Sequence, residues 1–486
     1  MSKPDIAARQ QTRTDQLVRR LQGSIRRGVL APGTRLPSSR EYSQTLGLGR
    51  NTVMAAFARL IEEGWLVAKQ GSGTYVADPV PAPLVHTRRT SAGFTPAFVP
   101  TLSRRGIHLA SVTRSRTTAF APGVPDVSEF PFAQWLEALQ RASRRVTPRM
   151  LSYGQGSGLA ALREALCQHL ALSRGVMCDP GDIIVTSGTT DSLLLCATLF
   201  AEAGDGAVVE QPGFAQAATA LRSAGLAVST VPVDVDGLDP WRIHSSAAPR
   251  LLYFTPCRQY PLGHELSAER RVALLAWAQR HGTVLIEDDY DSEFVSSGEP
   301  RMPMRAGPDG ESVVLLGSFS KMMFPGLRIA YVVMPHALAT QAQRAAARLF
   351  MAARPWEQLA LAEFLTTGRL RQHLLRMRES LARKHAWFGQ LWQRELGQVL
   401  TLNGDAGALH GVALLPRGIQ DQSLVQRLRE AGFAPETLSS MCLERPPLQG
   451  LVIGHGSLSM GELKRLAPRL VNEIALGLRE QSRSRG

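Results

Sequence analysis

Lysine is scarce. Of the 55 basic residues in this 486-residue chain, only Lys3, Lys69, Lys321, Lys384 and Lys464 are lysine; the other 50 are arginine. A chain that keeps itself charged with arginine retains a lysine by drift or because it needs an amine. Cysteine is equally thin. Cys167, Cys178, Cys196, Cys257 and Cys442 are scattered without CxxC spacing, which excludes a disulfide-dense framework and the usual zinc patterns, so no metal site is expected. No apolar run approaches the roughly 20 residues that a membrane-spanning helix needs. The opening Met1-Ser2-Lys3-Pro4-Asp5 lacks the apolar core of a secretory signal. These absences lead us to expect a reduced, cytoplasmic protein with no membrane partner. A short-period repeat is also missing.

What is present is globular, with 44% hydrophobic and 20% charged residues. The length exceeds what one core usually serves, so at least two domains are expected. The net charge of +14 is unevenly placed: residues 1–118 carry 18 Lys+Arg against 6 Asp+Glu, and residues 119–486 carry 37 against 35. A basic front end on a nearly neutral body suits a polyanion partner for the front end, although a solvated basic surface gives the same sum.

Residues 11–78 read as a compact basic unit. Leu17, Leu21 and Ile25 form a helical stripe closed by Gly28. After the turn Leu30-Ala31-Pro32-Gly33, Ser38 or Ser39 can cap a second helix ending near Leu46-Gly47. A third helix starts near Gly49-Arg50-Asn51-Thr52. On it Val53, Phe57, Leu60 and Ile61 share one face, leaving Arg50, Asn51, Thr52, Ala56 and Arg59 off it. Leu66 to Val76 then reads as two short strands around a glycine turn containing Gly71 and Gly73. Polar residues at the amino-terminal turn of such a helix are those that meet base edges, and Arg35, Arg40, Arg50 and Arg59 can neutralise phosphates.

Residues 79–118 hold repeated prolines and paired arginines (Arg88-Arg89, Arg104-Arg105) with little apolar periodicity, and read as a basic linker. From 119 to about 480, unbroken apolar runs such as Ile183–Val185, Ala207–Val209, Leu251–Phe254, Val284–Ile286 and Val313–Leu316 alternate with helical stretches. That pattern indicates an α/β domain whose mostly parallel sheet is covered on both faces.

Several residues in this domain suit an aldehyde cofactor, which asks for an amine, an acid to keep its ring nitrogen protonated, and a phosphate cradle. Lys321 follows an apolar strand in Gly317-Ser318-Phe319-Ser320-Lys321. Asp288 follows Val284–Glu287, at the strand end where α/β sheets bind ligands. Ser187-Gly188-Thr189 joins a strand to a helix, and Arg328 can grip a phosphate bidentately. Singly, each reads as well as a strand-end lysine, a capped loop, a helix cap or a surface arginine; their order is what counts.

"LAPGTRLPSSREYSQTLGLGRNTVMAAFARLIEEGWLVAKQGSGTYV" resembles the winged helix-turn-helix of the GntR family, with Gly49 where a Ser or Thr cap is usual. The resemblance implies a double-stranded DNA operator met by Arg35, Ser38, Arg40, Arg50, Asn51, Thr52, Gly71 and Gly73. "VLIEDDYDSEF" and "SFSKMMFPGLRIAY" resemble the fold-type I aminotransferases. That likeness implies pyridoxal 5'-phosphate bonded by Lys321, with Asp288 on the ring nitrogen, Tyr290 on the phenolic oxygen and Phe214 stacked on the ring. Ser187, Gly188, Thr189, Ser318, Ser320 and Arg328 would hold the phosphate, joined by Tyr153 of "SYGQGSG" across a dimer interface. A reader fused to such a domain is similar to the MocR/GabR subfamily of regulators, which implies a head-to-tail homodimer.

Three readings stay open: a sensor of an amine, amino acid or pyridoxal phosphate, a genuine aminotransferase that also binds DNA, and a dimerisation domain that has lost its cofactor. Aminotransferases usually fix the substrate carboxylate with an arginine in a segment like "LRLGF"; here Leu451-Val452-Ile453-Gly454 stands there. Arg258 or Arg445 could replace it, though each also reads as a structural or surface arginine. The ligand is therefore not expected to be an ordinary α-amino acid held in the ordinary way.

Overall fold

The computed structural model describes residues 3–80, 101–110, 119–152, 156–243, 248–294, 301–349 and 354–483. Tyr153 and most of the basic linker, including Arg88, Arg89, Arg114 and Arg116, lie outside the described residues. The chain divides into two compact units, residues 1–101 and 102–486.

In the first unit, helix α1 (Lys3–Arg26) precedes α2 (Ser39–Leu46), α3 (Arg50–Glu62) and a hairpin of β1 (Leu66–Lys69) and β2 (Gly73–Val76). Ser38 caps α2 in a reciprocal box: its hydroxyl accepts from the Glu41 amide at 3.3 Å, and its own amide donates to the Glu41 carboxylate at 2.9 Å. The segment before α2 joins the hairpin, Leu36 donating to the Thr74 carbonyl at 2.8 Å and Val76 to that of Thr34 at 2.9 Å. The core gathers Leu17, Leu21, Leu36, Val53, Phe57, Leu60 and Trp65. The face expected for α3 needs correction: Thr52 and Ala56 are buried and Ile61 is exposed.

The second unit is built on an eight-stranded sheet ordered β3-β10-β9-β8-β7-β4-β5-β6. Its strands are β3 (Ile183–Thr186), β4 (Gly206–Gln211), β5 (Ala227–Asp234), β6 (Gly237–Leu238), β7 (Leu251–Phe254), β8 (Val284–Asp288), β9 (Val314–Ser318) and β10 (Ala330–Val333). β9, β8, β7, β4 and β5 run parallel, while β10 lies antiparallel between β3 and β9. The two-residue period of the strands sorts their side chains into separate cores. Ile183, Val185, Leu315, Tyr331 and Val333 pack with helices 132–145, 160–174 and 355–366. Ile184, Leu251, Ile286, Leu316 and Val332 pack with helices 189–200 and 215–223. Both faces are covered, so the strands can be apolar throughout.

A smaller sheet, ordered β11-β12-β14-β13, follows the 28-residue helix Arg369–Leu396. Its strands are β11 (Leu402–Asn403), β12 (Gly411–Leu414), β13 (Glu436–Thr437) and β14 (Gly450–Ile453). Ala413, Leu451 and Ile453 face a core that also holds Phe120. Phe120 belongs to a segment stitched to this sheet: Gly454 donates to the Phe120 carbonyl at 2.9 Å, and Ala434 to that of Ala119 at 2.8 Å. A Cβ on Gly454 would sit 1.9 Å from the Ala121 oxygen, so only glycine fits. Among the described residues no helix is long and apolar enough to cross a membrane.

Candidate functional site

Strands β3, β4, β7, β8 and β9 share one direction and open their carboxyl ends on the same side, the position where α/β sheets take ligands. Ser187–Thr189 follow β3, Phe214 follows β4, Tyr260 follows β7, Asp288 ends β8, and Lys321 stands three residues past the end of β9. Arg328 precedes β10, whose reversed direction returns it to the same edge.

Lys321 is half-buried, and its amine donates to the carbonyl of Gly123. Burial lowers the amine's pKa, opposed by the carboxylates of Asp291, Asp288 and Glu436. Asp288 is buried at the end of its strand. Its Oδ2 accepts from the Tyr253 hydroxyl at 2.7 Å, whereas its Oδ1, also sealed from solvent, has no hydrogen-bond partner. Burial pushes this carboxyl up to about 7, even though the Tyr253 bond and the Lys321 charge favour the ionised form. The Tyr290 hydroxyl is likewise sealed and unpartnered. Tyr260 knits the site together: its ring lies 5.8 Å from Phe214, 5.8 Å from Tyr290 and 5.1 Å from His410, each edge-on.

The acids around Tyr290 divide their work, and each assignment follows from its partner. Glu287, fully buried, accepts from the Met304 and Arg305 amides at 2.9 and 3.0 Å. Asp289 pairs with buried Arg174 at 2.7 Å, Asp291 with Arg258 at 3.2 Å, and Glu293 with His169 at 2.9 Å. Asp288 and Asp291 each keep one sealed oxygen without a partner, but the other oxygen of Asp291 is paired with a guanidinium, whereas Asp288 has no ion-pair partner among the described residues. Arg258 also reaches Asp405 at 3.2 Å, so both ends of its guanidinium are committed to carboxylates. Arg445 is exposed.

Beyond the carboxyl end of β3, the helix Thr189–Phe200 begins without a side-chain cap, leaving its first N–H groups open. Gly188, at φ +146°, lies against the Arg328 guanidinium: a Cβ there would come within 3.2 Å of Nη1. Glycine is required for the arginine to lie so close. Ser318 is buried and accepts from the Ser320 amide at 3.2 Å. Among the described residues the hydroxyls of Ser187, Thr189 and Ser320 and the exposed guanidinium of Arg328 form no side-chain hydrogen bond or ion pair.

The residues present fit pyridoxal phosphate. Asp288 Oδ1 needs a donor such as a protonated ring nitrogen, the Tyr290 hydroxyl needs an acceptor such as a phenolate, and the open helix end beside Arg328 suits a dianion. Sequence reasoning missed Tyr253 and Gly123. Tyr253 carries a faint signal, a hydroxyl inside the apolar run Leu251–Phe254; Gly123 acts only through its backbone and carries none.

In the first unit Arg35, Arg40, Arg50, Asn51, Gly71 and Gly73 are exposed. Arg50 and Asn51 open α3, and Arg35 lies across the hairpin, its Nε 3.1 Å from where a Gly73 Cβ would be. Ser38 spends its hydroxyl on the α2 cap, and Thr52 is buried. Arg59 is held by Asp15 at 2.7 Å and Glu63 at 2.8 Å.

Comparison with known proteins assigns the two units separately. Residues 13–76 match the family model "Bacterial regulatory proteins, gntR family", and residues 119–432 match "Aminotransferase class I and II". The chain is 35% identical over 449 residues to the probable rhizopine catabolism regulatory protein MocR of Rhizobium meliloti, covering 91% of this chain and 90% of that one. It is 32% identical over 473 residues to the pyridoxine biosynthesis transcriptional regulator PdxR of Corynebacterium glutamicum, covering 95% and 96%. The kynurenine aminotransferase of Pyrococcus horikoshii superposes with a TM-score of 0.67 at 22% identity, over 76% of this chain and 93% of the enzyme, a likeness of fold.

Proposed function

Because the chain belongs to the MocR/GabR subfamily of GntR-type transcriptional regulators, we propose that it binds an operator in double-stranded DNA as a head-to-tail homodimer and reads a small effector through a cleft loaded with pyridoxal phosphate. The effector is an amine, an amino acid or pyridoxal phosphate itself, and the protein works in the cytoplasm. The domains follow as a reader at 11–78, a linker at 79–118 and a sensor at 119–480.

The observation that carries this reading is the pair of sealed, unpartnered atoms, Asp288 Oδ1 and the Tyr290 hydroxyl, together with a lysine that feels the Asp288 charge and whose amine burial has made less basic. When bound, the cofactor supplies an aldehyde that bonds amines reversibly. Lys321 offers the amine for that bond, and its lowered pKa leaves more of it unprotonated at neutral pH. Asp288, oriented by Tyr253, holds a proton at the ring nitrogen, and Tyr290 donates to the phenolic oxygen. Phe214 covers the ring face. Ser187, Gly188, Thr189, Ser318, Ser320 and Arg328 hold the phosphate, with Tyr153 from the partner. On the DNA side, Arg50 and Asn51 reach the groove, Thr52 buttresses their helix, Arg35, Arg40, Gly71 and Gly73 meet backbone phosphates, and Ser38 fixes the amide end of α2 towards them. An effector that favours one arrangement of the sensor biases how the readers are presented.

Borohydride reduction of the loaded protein followed by peptide mapping tests the core of this reading. The adduct is expected on Lys321, and an adduct on another lysine overturns it. Steady-state transamination across common amino acids tests the sensor role; robust turnover would replace it with a working aminotransferase.

A further inference from the structure

The small sheet turns one face to the cleft, and the composition of that face limits what the cleft can hold. Val452 sits in mid-strand on β14 with Val412 of β12 opposite it on one side and Glu436 of β13 opposite on the other. Directly opposed residues project to the same face. Val412 and Val452 are sealed in a small apolar cluster with Leu438 and Met441, against which Tyr260 and Leu262 pack. Tyr260 is the ring that touches Phe214 and Tyr290, so this face looks onto the proposed cofactor position. The alternate residues, Ala413 and Leu451, point away into the other core.

Glu436 is the one charged residue in that row of three. It is exposed, and among the described residues it forms no hydrogen bond or ion pair. Its charge reaches the Lys321 amine, where it opposes the effect of burial. The Arg258 guanidinium, which could balance an incoming carboxylate, is already held between Asp291 and Asp405, and the charge of Arg429 acts on Glu436 itself, where it favours the carboxylate against burial. The layer behind Tyr260 is thus apolar at the sealed Val452, and its exposed edge carries the carboxylate of Glu436.

We propose that Glu436 selects the effector: the cleft takes a primary amine whose distal end is cationic and carries no carboxylate, a diamine or a close chemical equivalent. This rests on the cofactor reading given above. A ligand carboxylate would be repelled by Glu436 with Arg258 already committed to two carboxylates, whereas a second ammonium would gain a charge-assisted contact.

Three four-carbon probes separate the possibilities: 1,4-diaminobutane, butylamine and 4-aminobutanoate, each titrated calorimetrically into the protein loaded with pyridoxal phosphate. Visible absorbance of the bound cofactor is recorded in parallel. The diamine should bind about ten- to a hundredfold more tightly than 4-aminobutanoate, with butylamine between, as expected for one charge-assisted contact. Glu436→Gln should bring the three within about threefold of one another, and Glu436→Arg should reverse the order; both changes fall at an exposed position that the fold tolerates. Equal or tighter binding of 4-aminobutanoate by the unaltered protein, no measurable diamine binding, or an unchanged order in Glu436→Gln overturns the proposal while the cofactor reading stands. Failure of the protein to gain any visible absorbance on loading overturns that reading, and this proposal with it.

Discussion

The two units place their functional groups on opposite sides of their cores. In the first, Arg35, Arg40, Arg50 and Asn51 are exposed to solvent, outside the apolar cluster at its centre. In the second, Asp288 and the Tyr290 hydroxyl are inside, in a cleft that has removed water from them. A reader meets a large, strongly hydrated polyanion and works by neutralising it at the surface. A cofactor cleft works by making water a poor competitor, and it accepts the cost of unsatisfied polar atoms until its ligand arrives. Substitutions at those four exposed side chains should therefore change function without stability, and substitutions at the buried acid and its partners should change both together.

The largest expected effect is at Lys321. Lys321→Ala should abolish the visible absorbance of lysine-linked cofactor while the far-ultraviolet circular dichroism stays that of the parent. Retained absorbance in the variant would remove the amine from the centre of the site. Next, Tyr253→Phe deletes the hydrogen-bond donor that Asp288 Oδ2 has among the described residues. The loss of that buried bond should cost about 1–3 kcal/mol in denaturant unfolding of the cofactor-free protein, and weaken cofactor uptake at neutral pH by raising the Asp288 carboxyl further.

The same acids sharpen the contrast through pH. Glu210, Glu287 and Asp288 are each pushed up to about 7 by burial. Between about pH 4 and pH 7 they hold protons in the folded chain that the unfolded chain has released, so their contribution to stability falls as pH rises through that window. A cationic ring nitrogen beside Asp288 would lower its pKa and remove its share. Thermal melts across that window should therefore lose more stability with rising pH for the cofactor-free protein than for the loaded one; parallel curves would mean that no cation reaches Asp288.

Smaller effects belong to the reader. Arg50→Ala should weaken operator binding and lower the slope of log affinity against log salt by about one, with cofactor absorbance untouched. An unchanged slope would move the recognition helix elsewhere. Ser38→Ala removes the α2 cap and should cost about 1 kcal/mol in the stability of the first unit.

Fold class was legible because buried parallel strands need unbroken apolar runs, and those runs stand out between helices. The face of α3 was less so. At about 100° per residue, Thr52 and Ile61 flank the stripe at nearly equal angles, and which one sinks depends on what packs beside the helix. Of the acids around Tyr290, resemblance marked Asp288, but the partners of Asp289, Asp291 and Glu293 come from Arg174, Arg258 and His169, which are 115, 33 and 124 positions away in order along the chain. Spacing cannot show such pairings. Tyr253 was hidden for a different reason: in an apolar strand its ring reads as core, and only the register of β7 beside β8 sets its hydroxyl on Asp288.

The close approach at Gly454 makes a tether. Phe120 is clamped into the core beneath the small sheet, and Gly123, three residues later, accepts from Lys321. Three residues of chain span at most roughly 11 Å, which leaves little slack between the two anchors. A short strap of chain therefore joins the layer that holds Phe120 to the carbonyl that accepts from the lysine, so the backbone at that carbonyl is positioned from the small sheet.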